Sequence, residues 1–276
     1  MIDEYKNYKN FKKDLIKNRE ELEKFLKEIK SIPDECKNIT NLFKLGKIMR
    51  YFYTIYDNFD LNSIMNYSFD FNGYIDNMLG ISKSLKDKKI NKVKYVKNKT
   101  TIKFKKLYHP SIENPVTNDI NFNKNKIITG PNAAGKTTIL KATILSTIFS
   151  QQFGFGYFKS GTLSPFEHFH CYINIPDTSG RDSLFQAEAR ICKNILDKVV
   201  NNPKDRHLCV FDELYSGTNP YEAVASALSY LSYLCNNKNI KFILTTHYVE
   251  LCKKLNIVQK HNIINKHMKV DYNKLG

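Results

Sequence analysis

The stretch Gly130-Pro131-Asn132-Ala133-Ala134-Gly135-Lys136-Thr137 fits the pattern G-x-x-x-x-G-K-[ST], a glycine-rich turn that binds phosphate groups. A β-branched segment at residues 126–129 precedes it, and an apolar segment with helical spacing follows at residues 138–145. In the order strand, turn and helix, backbone N–H groups and the helix N-terminus converge on one phosphate. We therefore expect Lys136 to contact the β- and γ-phosphates of a nucleotide and the Thr137 hydroxyl to bind Mg²⁺. The alternative is an ordinary glycine turn before a helix.

A second apolar segment, residues 207–213, ends in two acids. Such a run is typical of a strand buried in a parallel sheet, with its carboxyl end at a ligand crevice. We expect Asp212 to hold Mg²⁺ through the water shell of the ion, and Glu213 to polarise the attacking water as a general base. The alternative is a solvated acidic pair at the end of a strand.

A third strand-like segment, residues 240–246, is followed by His247. A histidine at this point can form a hydrogen bond with a γ-phosphate, whereas an isolated histidine after a strand is more often structural. Because His247 follows the phosphate loop and the Asp-Glu strand in this order, we favour the phosphate contact.

The phosphate loop, the Asp-Glu strand and the strand-ending histidine, in this order, resemble the ATP-binding-cassette superfamily and are similar to its MutS branch, the DNA mismatch-repair ATPases. The resemblance covers residues 108–269, and its most specific parts are residues 216–218 (SGT) and 246–251 (THYVEL). It implies an α/β fold with a mainly parallel sheet and an antiparallel β subdomain, with ATP and Mg²⁺ as cofactors. The nucleotide-binding residues that it implies are Gly130, Pro131, Asn132, Ala133, Ala134, Gly135, Lys136, Thr137 and Thr138.

Residues 180–188 (GRDSLFQAE) are similar to the signature segment of that branch, in which Ser-x-Phe-x-x-Glu opens a helix. The resemblance implies that Ser183 contacts, in trans, the ATP held by a partner subunit. The alternative is a plain helix cap without a ligand, a role that Asp182 can also fill. No Leu-Ser-Gly-Gly-Gln stretch occurs, which argues against a transporter-type cassette.

Composition narrows the class of protein. The 276 residues suffice for one sizeable α/β domain and a smaller element. The six cysteines form no C-x-x-C pair, so we expect free thiols in a reducing compartment and no zinc site. No apolar stretch reaches the length of a signal or membrane span, so we expect a soluble, intracellular protein of cytoplasm or nucleus with no membrane partner. Abundant lysine, asparagine and isoleucine indicate an A/T-rich genome, such as a viral one.

The net charge of +16 is unevenly distributed. Between Lys83 and Lys106 there are eleven lysines and a single acid, Asp87. Such a density can neutralise phosphates and attract DNA in a salt-dependent way, without reading its sequence. A solvated, lysine-rich linker and edge strand is an equally supported interpretation.

Two regions are expected along the chain. Residues 1–82 have the helical period, with apolar residues at 22, 25, 26 and 29, and the resemblance implies that they are the end of the MutS core and lever. Residues 83–276 form the predicted ATPase domain after a linker that begins at Gly80. Residues 92–96 and 101–105 alternate between polar and apolar, as antiparallel strands do. His168 and His170 share one strand face and are predicted to be structural.

The chain departs from the resembled family in three ways. Its only Phe-x-Glu is Phe211-Asp212-Glu213, so no mismatch-reading domain is predicted. The aromatic residue that stacks on adenine in that family would fall near Val116. Because valine cannot stack, Tyr108 or His109 is the alternative. The resemblance ends at Lys269, where the family continues with further helices, so we expect the C-terminal end to be truncated.

These observations predict a Mg²⁺-dependent ATPase that forms a homodimer or heterodimer through its ATPase domains. It would act as an ATP-driven switch that binds DNA in mismatch repair or a related transaction. Two alternatives stay open. One is a MutS-like ATPase that acts on recombination or junction DNA, or on ribosomes, without recognising mismatches. The other is a nucleotide-gated scaffold for a larger partner.

Overall fold

The computed structural model describes residues 2–30, 45–57, 59–97, 100–173, 183–259 and 262–270. The chain divides into two compact units, Met1–Ser84 and Leu85–Gly276. The fold is mixed α/β, with one parallel and one largely antiparallel sheet, as expected from the sequence. No described helix is long and apolar enough to cross a membrane.

The described part of the first unit is helical. Its helices are α1 (Ile2–Ile29), α2 (Leu45–Asp57) and α3 (Phe59–Lys86). The ring centroids of Phe11 in α1 and Phe71 in α3 lie 6.3 Å apart, so these two helices pack through aromatic side chains. The helical prediction for this region is therefore confirmed where the structure describes it.

The linker predicted at Gly80 is wrong, because Gly80 lies inside α3, which continues to Lys86. Gly73 also lies inside α3. A Cβ atom at either glycine would meet nothing within 4 Å, so the residues need no special backbone and only weaken the helix, by about 1 kcal/mol each relative to alanine.

Five strands of the second unit form a parallel sheet in the order β10-β4-β9-β8-β7. The strands are β4 (Asn125–Thr129), β7 (His168–Tyr172), β8 (His207–Asp212), β9 (Ile240–Thr245) and β10 (Ile263–His267). Successive side chains point to opposite faces, and the central strands β4, β8 and β9 are buried on both, which is why β8 and β9 are largely apolar. Their carboxyl ends meet at one edge of the sheet.

Helices cover both faces of the parallel sheet. Helix α4 (Lys136–Phe153) packs on the face that contains Ile128 and Val210. The opposite face, which contains Phe211 and Phe242, packs on further helices. These are α5 (Leu184–Asn201), α6 (Pro220–Cys235) and α7 (Val249–Val258).

The second sheet has the order β3-β2-β6-β1-β5. Its strands are β1 (Asn91–Tyr95), β2 (Ile102–Leu107), β3 (Asn118–Asn121), β5 (Phe155–Gly156) and β6 (Ser160–Leu163). All neighbours are antiparallel except β1 and β6, which run parallel. The strands predicted at residues 92–96 and 101–105 exist, but β6 lies between them. Phe104 and Leu163 point inward and share a core with α4.

Candidate functional site

The phosphate loop joins β4 to α4 with two residues in the left-handed region, Ala133 at φ 59° and Gly135 at φ 85°. Helix α4 begins at Lys136, and the N–H of Ile139 donates to the carbonyl of Gly135 at 3.0 Å. At Gly130 a Cβ atom would lie 2.9 Å from the Cβ of Met268, so a larger residue would displace the segment after β10. The loop conformation therefore depends on both glycines of the motif.

The Lys136 side chain is buried under this loop, with only 6% of the residue exposed. Its Nζ donates to the carbonyl oxygens of Gly130 and Pro131, each at 3.0 Å. The same nitrogen lies 3.0 Å from Nε2 of His247. An ammonium group is thus held at the centre of the loop, within reach of any phosphate bound there.

Asp212 ends β8 and accepts hydrogen bonds from two hydroxyl groups. Thr137 Oγ1, at the start of α4, donates to Oδ2 at 2.7 Å. Thr245 Oγ1, its cross-strand partner in β9, donates to Oδ1. The Thr137 hydroxyl and the Asp212 carboxylate are therefore adjacent oxygen ligands, the kind that Mg²⁺ prefers.

Glu213 follows Asp212 in the left-handed region, at φ 53°, which turns its side chain toward the end of β9. Its N–H donates to the Thr245 carbonyl at 3.1 Å, and its Oε1 lies 2.7 Å from Nε2 of His247. One histidine nitrogen thus faces both Glu213 and Lys136. It can donate to the carboxylate or accept from the ammonium, but not both at once, because it carries either a proton or a lone pair.

These contacts bring Lys136, Thr137, Asp212, Glu213 and His247 to the carboxyl edge of the parallel sheet. The other residues predicted to bind the nucleotide lie in the same loop or in the first turn of α4. They are Gly130, Pro131, Asn132, Ala133, Ala134, Gly135 and Thr138.

Ser183 belongs to a different contact set from these residues. It caps α5, where its hydroxyl accepts from Gln186 N–H at 3.3 Å and its own N–H donates to Gln186 Oε1 at 3.0 Å. This capping box agrees with the helix-cap interpretation, while the contact in trans stays a prediction. Asp182 lies outside the described residues.

Glu188, the last residue of the Ser-x-Phe-x-x-Glu pattern, has no role predicted from the sequence. Glu188 is 2% exposed, and its carboxylate accepts from Ser216 N–H and Ser216 Oγ at 3.0 Å and from Gly217 N–H at 3.1 Å. This carboxylate fastens α5 to the loop that follows Glu213. The presence of a glutamate at the end of the Ser-x-Phe-x-x-Glu pattern is the sequence feature that could have indicated this contact.

We expect Gly217→Ala to destabilise this junction. The new Cβ would lie 2.6 Å from Leu184 Cγ and 2.9 Å from the backbone nitrogen of Phe185, so the loop or α5 must shift. Overpacking of this kind costs about 1–3 kcal/mol, which urea unfolding would measure. Gly73→Ala is the control, since its Cβ has open space. Equal stability of the two variants would contradict the packing argument.

A cavity of about 670 Å³ adjoins the phosphate loop. Ala133, Gly135 and Thr138 form its wall on the loop side. The two candidates for an adenine contact, Tyr108 and His109, also line it, together with Val116, His267 and Met268. Tyr108 is already held, because its hydroxyl donates to the Lys89 carbonyl and its ring packs edge-on against Tyr157.

His168 and His170 stack with a third imidazole, His207, which is fully buried. Nε2 of His207 lies 2.9 Å from the Asn202 carbonyl, so this nitrogen carries the proton and Nδ1 accepts from His170 Nε2 at 3.0 Å. Among the described residues, no group of three or more His, Cys, Asp or Glu is arranged to hold a metal ion.

We expect His170 to titrate at low pH. Burial, together with the electrostatic influence of the neighbouring His207, His168 and Lys198, lowers the pKa of His170 from 6.5 to about 4. Because the folded-state pKa is the lower one, the stabilisation is full above pH 6.5 and is lost as the pH falls toward 4. Imidazole NMR signals would locate the titration, and a midpoint near 6.5 would contradict this. His170→Gln is the control for assignment.

The comparisons with known proteins concern the same part of the chain. The family model MutS domain V matches residues 126–275. A DNA mismatch repair protein MutS of Clostridium tetani is 32% identical over 166 residues, which cover 58% of this chain and 18% of that protein. An endonuclease MutS2 of Streptococcus agalactiae is 31% identical over 161 residues, or 56% of this chain and 20% of the relative. The chain thus spans about a fifth of the length of these relatives.

Proposed function

This chain belongs to the MutS domain V family, and we propose that it is a Mg²⁺-dependent ATPase whose nucleotide state controls its binding to DNA. The observation that carries the proposal is the meeting of Lys136, the Thr137–Asp212 pair and the Glu213–His247 pair at one edge of the sheet. Similarity to proteins named MutS and MutS2 supports the DNA part.

The loop residues fit a triphosphate. Lys136 donates to two carbonyl oxygens of its own loop, and phosphate oxygens would replace these acceptors with stronger, charged ones. The Thr137 hydroxyl and the Asp212 carboxylate would hold Mg²⁺, which proteins commonly bind through one or two carboxylates together with substrate phosphates. The ion would neutralise negative charge on the phosphates.

Hydrolysis would use the acid that does not contact Thr137. Glu213 contacts His247 through Oε1, and its carboxylate would accept a proton from a water that attacks the γ-phosphate in line. His247, within 3.0 Å of Lys136 and 2.7 Å of Glu213, would then donate to the γ-phosphate and stabilise developing charge.

A partner subunit would complete the site. We propose that Ser183 of one chain faces the γ-phosphate held by another, in a homodimer or a heterodimer. The Glu188 hydrogen bonds support this, because they join the helix that begins after Ser183 to the loop after Glu213. In each chain, the position of Ser183 is thereby linked to that of Glu213. The helical first unit would then act as the lever that transmits the nucleotide state.

The DNA structure recognised is the open part of this proposal. A role on junction or recombination DNA without mismatch recognition is the second candidate, because the chain's only Phe-x-Glu, Phe211-Asp212-Glu213, lies in the proposed ATP site. Gel-shift assays with mismatched, four-way junction and homoduplex DNA of equal length, each with and without ATP, would separate the two. Preference for the mismatch supports repair, while preference for the junction supports the second candidate. Absence of ATP hydrolysis in the intact protein would reject both and favour a nucleotide-gated scaffold.

A further inference from the structure

Four lysines occupy the positions of β1 and β2 that point away from the core of the antiparallel sheet, and half-buried Phe155 of β5, the cross-strand partner of Lys92, lies at their border. Lys92 and Lys94 in β1 and Lys103 and Lys105 in β2 alternate with buried residues such as Phe104, so all four point to solvent. All four are exposed in the whole chain. We call these four lysines the basic face.

The strand register arranges the basic face as two rows. Lys94 and Lys103 both pair with Thr162 of β6, one on each side. Lys105 pairs with Ser160, and Lys92 lies two residues before Lys94 on the same side of β1. From ordinary strand geometry the four Cα atoms enclose an area of about 10 Å by 7 Å. The hydroxyl groups of Ser160 and Thr162 lie between the lysine rows.

These charges have no partner within the described chain that would explain them. No described carboxylate forms an ion pair with any of the four lysines. Asp119, on the neighbouring strand β3, has its Oδ1 occupied by the backbone N–H of Lys106 at 2.8 Å. Unpaired like charges on one sheet face repel one another, so they do not stabilise the fold.

Protection of a sheet edge does not explain the lysines of β2 either. Lysine often prevents exposed edge strands from pairing with other chains. Strand β2, however, is hydrogen-bonded to β3 on one side and to β6 on the other. Lys103 and Lys105 therefore lie in the interior of the sheet. An A/T-rich genome explains lysine in place of arginine, but not the concentration of lysines on one face.

We propose that the basic face binds the sugar-phosphate backbone of a nucleic acid without reading its sequence. Four flexible ammonium groups and two intervening hydroxyls match closely spaced phosphate oxygens. None of these six side chains is aromatic, and Phe155, beside Lys92, is half-buried, so the two lysine rows themselves offer no stacking platform for bases. The choice of nucleic acid as the ligand rests on the proposed function. The basic face adds to that function a DNA contact on the nucleotide-binding unit itself. Strand β2 ends and strand β3 begins at the cavity beside the phosphate loop, through Leu107 and Asn118.

The test compares two quadruple variants with the same change of charge. K92Q/K94Q/K103Q/K105Q removes the basic face. K193Q/K204Q/K238Q/K253Q removes four exposed lysines elsewhere in the second unit. Affinity for 30-nucleotide single-stranded DNA, duplex DNA and single-stranded RNA is measured by fluorescence anisotropy at several salt concentrations. K92R/K94R/K103R/K105R is a second variant of the basic face, which keeps its four positive charges.

We expect the slope of log K against log salt to fall by up to about 3.6 on duplex DNA, and by up to about 2.8 on single strands, only in the basic-face variant. The arginine version should bind as tightly as the unaltered protein. Equal losses in both glutamine variants, or no loss in either, would overturn the proposal. Binding to phosphatidylserine vesicles but not to nucleic acid would overturn it too. ATP hydrolysis without DNA is measured in parallel. If the unaltered protein hydrolysed no ATP, the ATPase proposal would be rejected, while the salt slopes would still test the basic face.

Discussion

Lys136→Ala should slow ATP hydrolysis by about 10²–10³-fold and weaken nucleotide binding. The side chain provides the buried ammonium group of the phosphate loop, and alanine would remove both that charge and the donor to the carbonyl oxygens of Gly130 and Pro131. Loss of charge stabilisation of this kind lowers turnover by about 10²–10³-fold. Release of phosphate at saturating Mg²⁺ and ATP measures turnover, and titration with a fluorescent ATP analogue measures binding.

Lys141→Ala is the matched control for that substitution. Lys141 lies on the same helix, α4, but is not part of the loop or of its contacts with His247. Its removal should leave turnover within about twofold, because the phosphate contacts are unchanged. If the two variants lost activity equally, the effect would come from the helix rather than from the loop, and the role given to Lys136 would be wrong.

Glu213→Gln should separate ATP binding from ATP hydrolysis. Glutamine keeps the size of the side chain and a hydrogen bond to His247, but it cannot accept a proton from water. Loss of a general base costs about 10²–10⁴-fold in turnover, so we expect that decrease with little change in nucleotide affinity. Single-turnover hydrolysis and analogue titration on the same preparation measure both quantities.

Glu250→Gln controls for removal of a carboxylate near the site. Glu250 lies in the first turn of α7, and its side chain is exposed. Its substitution should leave the rate unchanged. Full hydrolysis by the Glu213→Gln variant would show that another group activates the water, and loss of ATP binding in that variant would assign Glu213 to binding instead.

The parts of the fold that depend on neighbouring residues could be predicted from the sequence. The β-branched run before Gly130, the apolar run after Lys136 and the apolar run that ends at Asp212 became β4, α4 and β8. Their periods and turn residues act over a few positions. The meeting of their ends could be inferred too, because parallel strands bring their carboxyl ends to the same edge.

What could not be predicted depends on contacts between distant residues. The position of β6 between β1 and β2 follows from pairing over about 60 residues, and no local pattern encodes it. The hydrogen bonds from Ser216 and Gly217 to Glu188 similarly join segments that are nearly 30 residues apart. The linker prediction at Gly80 failed for a different reason. A glycine in an exposed helix costs only about 1 kcal/mol, which the rest of a 28-residue helix tolerates.

A crystal structure with Mg²⁺ and a nonhydrolysable ATP analogue would test the central claim most directly. We predict that the γ-phosphate lies within hydrogen-bond distance of Lys136 Nζ, that Mg²⁺ lies between Thr137 and Asp212, and that Glu213 faces the γ-phosphorus through a water molecule. A nucleotide bound away from residues 130–137, or a phosphate loop that stays empty at saturating analogue, would contradict the account.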